Sequence, residues 1–243
     1  MKIGVLGAGV MGSGIAQVCA LAGDDVTCYD VAPAALDEAR AHVTSGRFGL
    51  DNALARGKVT REQADSALAS MTFTASFEEA AASDLVIEAV PERLELKVRV
   101  FRDLDRLAPP GAILASNTSG LPIAAFAAAT DRPDRVIGWH WASPAPVMKL
   151  AEIVVTPETS DATIATVVDT ATRCGKHPIV VKDTPMQWGF VANRVYFAMV
   201  REAQRVVDEG IATRDEVDQL MMDCFRWPSG PFGMVAGAGS GWT

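Results

Sequence analysis

The chain has 243 residues, 49% of them hydrophobic and 21% charged, with a formal net charge of −8. That length suits one large or two modest globular domains, and the charge, with no dense Lys/Arg block, argues against nucleic acid as a partner. No stretch offers the roughly 18 uninterrupted apolar residues of a membrane span, and four scattered cysteines (Cys19, Cys28, Cys174, Cys224) without a Cys-x-x-Cys pair argue against disulfides and zinc, so a cytoplasmic location is expected.

Taken in order, Ile3–Leu6 reads as a strand and Gly7-Ala8-Gly9-Val10-Met11-Gly12 as a glycine turn that opens a helix. Val26–Asp30 reads as a second strand ending in a carboxylate. Each part suits a dinucleotide. Gly7 permits the tight turn, Gly9 lets backbone approach a pyrophosphate, and Gly12 lets helix and strand pack closely. The N–H groups around Val10 and Met11, at the positive end of the helix dipole, would meet the phosphates. Asp30 would accept hydrogen bonds from the adenosine ribose and repel a 2′-phosphate, so NAD is the expected cofactor.

Residues 31–74 carry two helical patterns, Ala34–Leu54 and Thr60–Leu68, joined by Arg56-Gly57-Lys58-Val59, and read as a helical hairpin inserted between strands. Thr60 followed by Gln63 forms a capping box. Further strands are expected at Asp84–Ala89, Ile113–Ser116, Val136–Trp139, Glu152–Val155 and Pro178–Val181. Several are continuous apolar runs, as in a sheet covered on both faces. The expected fold is therefore α/β: a doubly wound Rossmann-type sheet over residues 1–184, with the 31–74 insert. Past Asp183-Thr184-Pro185 the pattern turns helical, with Phe190–Asp208 and Thr213–Cys224, while the glycine-rich Pro228–Thr243 reads as loop. Residues 185–243 are thus a smaller all-α domain.

The second informative segment runs from His140 to Glu152. His140 leaves one strand end, a proline-held loop turns the chain, and Glu152 starts the next strand. Adjacent strands of this kind can bring imidazole and carboxylate into contact, which fixes the histidine tautomer and raises its basicity, as alcohol dehydrogenation requires. A structural histidine at a strand end would read the same way from composition alone.

The chain resembles the short-chain L-3-hydroxyacyl-CoA dehydrogenases of fatty-acid β-oxidation. The resemblance rests on the glycine fingerprint, Glu88-Ala89-Val90-Pro91-Glu92 with Lys97, Ser116-Asn117-Thr118-Ser119, the His140–Glu152 segment, Gly189-Phe190-Val191-Ala192-Asn193-Arg194 and Gly230-Pro231-Phe232. It implies reversible, NAD-dependent oxidation of a (3S)-3-hydroxyacyl-CoA to the 3-oxoacyl-CoA. In that scheme His140 is the proton acceptor, Glu152 orients it, Ser119 bonds the substrate oxygen, and Asn193 positions substrate or histidine across a cleft. Glu92 and Lys97 would line the nicotinamide and its ribose, with Asn117 beside the cofactor. The insert, through Lys58, would carry part of the CoA. A homodimer through the helical domain is implied as well.

Three departures stand out. Ser143 occupies a substrate-side position where the family usually has Asn. The entry to the helical domain, Asp183 to Phe190, carries a short insertion that includes Trp188. The chain also stops soon after Phe232, where the family continues with helix, so the expected dimer would be altered or completed by other residues. These departures keep open a dehydrogenase of the same fold acting on a non-CoA hydroxy acid, such as a sugar acid or carnitine, or on a carrier-protein-bound group. A non-catalytic NAD-binding protein would be expected to lose the base, and no Gly-x-Ser-x-Gly elbow suggests a hydrolase.

Overall fold

The computed structural model describes residues 1–240. The chain divides into two compact units, Met1–Trp188 and a second beginning at Gly189. In order, the first unit contains β1 (Lys2–Leu6), α1 (Val10–Leu21), β2 (Asp25–Tyr29), α2 (Pro33–Thr44), α3 (Leu50–Ala55), α4 (Arg61–Ala69), β3 (Met71–Thr74), α5 (Phe77–Ala81) and β4 (Leu85–Glu88). It continues with α6 (Leu94–Leu107), β5 (Ile113–Ser116), α7 (Ile123–Ala127), a 3-10 turn, β6 (Val136–Trp141), β7 (Leu150–Val155), α8 (Asp161–Arg173) and β8 (His177–Lys182).

The eight strands form one sheet in the order β3-β2-β1-β4-β5-β6-β7-β8. Strands β1 to β6 run parallel, and β7 runs antiparallel to β6. The order 3-2-1-4-5-6 is that of the doubly wound dinucleotide-binding fold, whose ligand crevice lies at the carboxyl ends of β1 and β4. The central strands are apolar along their whole length because helices cover both faces: Val5, Ile87, Leu114 and Ile137 have no solvent exposure.

The structure corrects four readings of the first unit. Met71–Thr74 pairs with β2 as an edge strand, so it belongs to the sheet and not to the insert. The single helix expected over Ala34–Leu54 is two, α2 and α3. At the break, the Gln17 side chain on α1 donates to the Phe48 carbonyl at 2.9 Å, pinning the connection to α1. His140 does not leave a strand end but lies within β6, and Glu152 is the third residue of β7 rather than its first. The Thr60–Gln63 capping box forms as expected.

The second unit holds α9 (Val191–Asp208), α10 (Arg214–Phe225) and α11 (Pro231–Ser240). Thr213 and Glu216 form a capping box at the start of α10. The segment expected as loop is helical over α11, and its last three residues, 241–243, lie outside the described ones. Its cap comes from elsewhere: the Asp218 carboxylate on α10 accepts the Phe232 and Gly233 N–H groups, each at 2.8 Å. Among the described residues, no helix is long and apolar enough to cross a membrane.

Candidate active site

The glycine turn sits between β1 and α1, where backbone must come close to backbone. Gly7 has φ +98°, a left-handed value, and an added Cβ there would lie 2.6 Å from the Ala89 carbonyl oxygen. A Cβ on Gly12 would fall 1.7 Å from the Gly7 carbonyl oxygen, whereas one on Gly9 would meet nothing within 4 Å. The turn is therefore packed tightly from below and open above Gly9. No side chain caps α1, and no acidic residue lies in its first turn. The N–H groups of Val10, Met11 and Gly12 have no intrahelical acceptor by the geometry of a helix start, so they suit phosphate oxygens.

Asp30 follows β2 and is held by its surroundings. Its Oδ2 accepts the Ala8 N–H at 2.9 Å and its Oδ1 the Ala32 N–H at 3.0 Å. Each carboxylate oxygen keeps a further lone pair for a ribose hydroxyl. Turn, helix start and acid together fit a dinucleotide, with a negative charge where a 2′-phosphate would otherwise be accommodated.

Beside the turn, the ends of β4 and β5 are joined by a buried polar network. Glu88 and Lys97 are 0% and 1% exposed, with Nζ to Oε1 at 2.6 Å. Ser116 Oγ donates to the second Glu88 oxygen at 2.6 Å, and the Val90 N–H to Oε1 at 2.8 Å. Burial pushes the Glu88 carboxyl up, against the opposing pull of Lys97, Ser116 and the Val90 N–H. Lys97 also donates to the Val90 carbonyl at 3.1 Å and reaches Glu92 Oε2 at 3.2 Å. Its three ammonium hydrogens thus meet three oxygens, and the side chain points inward as a tie between loops, not outward as a solvated helical lysine. Glu92 in turn accepts the Thr118 hydroxyl at 2.5 Å and the Ser119 N–H at 2.8 Å. Its carboxylate therefore sets the backbone that carries Ser119.

Asn117 connects this region to the next. Its N–H donates to the Glu88 carbonyl at 2.8 Å, and its side-chain oxygen accepts the Trp141 N–H at 2.9 Å. Trp141 follows His140, which faces Glu152 across the antiparallel β6–β7 pair. His140 Nδ1 lies 2.7 Å from Glu152 Oε2, and both residues are buried. The dyad is thus a cross-strand rung, fixed by sheet register.

The remaining candidates fall elsewhere. The Ser143 hydroxyl, just past β6, is buried with no hydrogen-bond partner in the structure. Asn193 is the third residue of α9, in the second unit. Trp188 is half exposed and follows a turn in which the Gln187 N–H meets the Thr184 carbonyl. Lys58 lines a cleft of about 690 Å³ together with Arg47, Arg56, Lys149, Arg173 and Lys176. The described residues that line this cleft include no carboxylate. Among the described residues no cluster of His, Cys, Asp and Glu could hold a metal ion.

Sequence reasoning missed the part played by Thr118, which is buried and also accepts the Leu121 N–H at 2.9 Å. It gave Glu88 no role and passed over Lys176. Glu88 and Lys97 are nine residues apart, and only the start of α6 folds one onto the other. A lysine in the short link before a strand carries no signal that it will be buried.

Comparison with known proteins agrees with this geometry. The model of the 3-hydroxyacyl-CoA dehydrogenase NAD-binding domain matches residues 2–184, and that of the 3-hydroxyacyl-CoA dehydrogenase C-terminal domain matches residues 189–243. The chain is 42% identical over 238 residues to a probable 3-hydroxybutyryl-CoA dehydrogenase of Bacillus subtilis, covering 96% of this chain and 79% of that one. The crystal structure of (S)-3-hydroxybutyryl-CoA dehydrogenase from Ralstonia eutropha has a TM-score of 0.89 at 40% identity, covering 95% of this chain and 79% of that chain. A diketoreductase described as acting on dicarbonyl compounds has a TM-score of 0.86 at 33% identity, covering 96% of this chain and 81% of that chain. With a dinucleotide turn, an acid after β2 and a His–Glu rung on one sheet, and with both family models matched in order, the chain belongs to the 3-hydroxyacyl-CoA dehydrogenase family and carries its NAD-binding domain.

Proposed function

We propose that the chain interconverts (3S)-3-hydroxyacyl-CoA and 3-oxoacyl-CoA. The observation that carries this reading is the buried His140–Glu152 rung, with Nδ1 and Oε2 at 2.7 Å. When bound, NAD supplies the hydride acceptor for substrate C3, and NADH the donor in reverse. Gly7, Gly9, Val10, Met11, Gly12 and Asp30 would hold its pyrophosphate and adenosine ribose. Because Nδ1 faces Glu152, proton exchange with the 3-oxygen falls to His140 Nε2. Glu152 keeps the imidazole in one orientation and tautomer, and its charge offsets the imidazolium that forms as the hydroxyl proton arrives. Ser119, on a backbone set by Glu92, hydrogen-bonds the 3-oxygen, and Asn193 positions the reacting group. Glu92 borders the nicotinamide side and Lys97 holds Glu92 there. Asn117 fixes the strand next to His140.

The cationic cleft supports a phosphate-bearing substrate, with Lys58, Arg47 and Arg56 of the insert meeting CoA phosphates. The same proposal takes residues 1–184 as the dinucleotide domain and 185–243 as the helical one. It includes a homodimer through the helical part, since Val195, Leu220 and Phe225 expose apolar side chains there. It also includes a reducing cytoplasmic setting, which the four unpaired cysteines fit. A second reading, reduction of a free dicarbonyl compound, draws on the diketoreductase likeness and on Ser143.

The test is to follow NADH consumption with acetoacetyl-CoA and, in parallel, with the corresponding free dicarbonyl, each repeated with NADPH. Turnover of the thioester with NADH is the expected result. Turnover of the free dicarbonyl alone would establish the second reading, and preference for NADPH would remove Asp30 from its role.

A further inference from the structure

The loop between His140 and Glu152 is held down by a residue outside the site. Lys176, between α8 and β8, is 5% exposed. Its ammonium donates to the Ala145 carbonyl at 2.5 Å and the Met148 carbonyl at 2.8 Å, and it lies 5.0 Å from the centre of the Trp141 ring. Two of these contacts fall on the turn between β6 and β7, and the third on the last residue of β6. The next residues reinforce it, with Lys149 Nζ on the Gly175 carbonyl at 3.0 Å and the His177 N–H on the Lys149 carbonyl at 2.9 Å. On its other side the loop packs against the dinucleotide helix: a Cβ on Gly14 of α1 would meet Pro146 Cδ at 3.2 Å and Ala145 Cβ at 3.3 Å.

We infer that Lys176 is a positioning residue, its buried ammonium clamping the Ala145–Met148 turn onto α1 so that His140 and Glu152 stay on one rung beside the cofactor helix. The inference rests on the dehydrogenase reading of that rung. The clamp grips carbonyl oxygens through charge-assisted hydrogen bonds, roughly twice as strong as those between neutral partners.

Among the described residues no carboxylate acts on the Lys176 charge. The titratable groups that act on it are the thiols of Cys174 at the end of α8 and Cys19 on α1, and the ammonium of Lys149 in the loop. Burial therefore dominates and lowers its pKa to about 8. Loss of that proton turns two charge-assisted bonds into weaker neutral ones, so the clamp slackens in mildly alkaline solution.

Two measurements test this on the full chain. First, Trp emission of the wild type is titrated from about pH 7 to about pH 10, a range that brackets the lowered value and ends below that of an ordinary lysine. A transition centred near 8 is expected and should vanish in Lys176→Met. This reading needs no substrate, so it stands apart from the identity of the reaction. Second, kcat and KM are compared with acetoacetyl-CoA. Lys176→Met should lower kcat at least tenfold with NADH affinity within about twofold, and wild-type kcat should fall severalfold across the same transition. A variant with wild-type kcat would overturn the proposal. If the variant does not fold, a wild-type protein with no emission change and level kcat through that range would overturn it equally.

Discussion

His140 and Glu152 act as a unit because the sheet puts them on one rung, and the first expectation concerns them. His140→Gln should lower kcat by about 100-fold or more while NADH still binds, since the amide can occupy the place but cannot take a proton. Unchanged turnover would mean that the base lies elsewhere. Asp30→Ala should weaken NADH binding and narrow its advantage over NADPH, measured as the ratio of the two dissociation constants. Lys97 is a different kind of residue. Lys97→Met strands the Glu88 carboxylate in a fully buried position, so unfolding in denaturant should show a loss of about 3–5 kcal/mol. Adding Glu88→Gln should recover much of that loss, because the orphaned charge goes with it. If the double variant is no more stable than the single one, the network is not what holds the β4 and β5 loops together.

At the level of elements, the parts legible in the sequence are those whose partners lie close along the chain. The glycine turn owes much of its meaning to the close approach of Gly12 to Gly7, five places apart, so it survives in a short string even though Gly7 also needs room beside the distant Ala89 carbonyl. The capping boxes of α4 and α10 are local for the same reason. His140 and Glu152, twelve residues apart, could be paired by eye once two strands and a proline turn were recognised between them. Strand β3 escaped because Met71–Thr74 is four residues long and half polar, and only pairing with β2 distinguishes it from loop. Helix α11 escaped because its glycines argue against helix and its cap is a side chain fourteen residues upstream. That cap is testable. Asp218→Ala should destabilise the helical unit by about 0.5–2 kcal/mol, read from the thermal transition, and shield fewer α11 amides from hydrogen exchange. Full protection of those amides in the variant would show that packing alone holds the helix.

Across the whole molecule, buried charge makes stability and activity respond to pH in opposite directions. With Lys176 at about 8 in the native protein and 10.5 as the ordinary value, the unfolded chain holds a proton that the native chain lacks between those limits. Stability should therefore rise as pH climbs through that window, while kcat falls because the clamp slackens. Glu88 works with the other sign. Its raised carboxyl keeps a proton longer in the native state than in the unfolded one, so its contribution declines as pH rises through its own titration. Thermal melts and initial rates over one pH series would show whether the two curves diverge on the alkaline side. The antiparallel return of β6 into β7 also governs what can vary among descendants of this chain. Facing residues on a rung meet because their strands pair, whatever number of residues joins them, whereas one residue inserted inside β7 would turn Glu152 to the opposite face. Lys176 grips main-chain oxygens, which every amino acid supplies. Ser143 can therefore change in evolution without shifting the His140–Glu152 rung, whereas Ala145 and Pro146 in the same turn are constrained by their packing against α1.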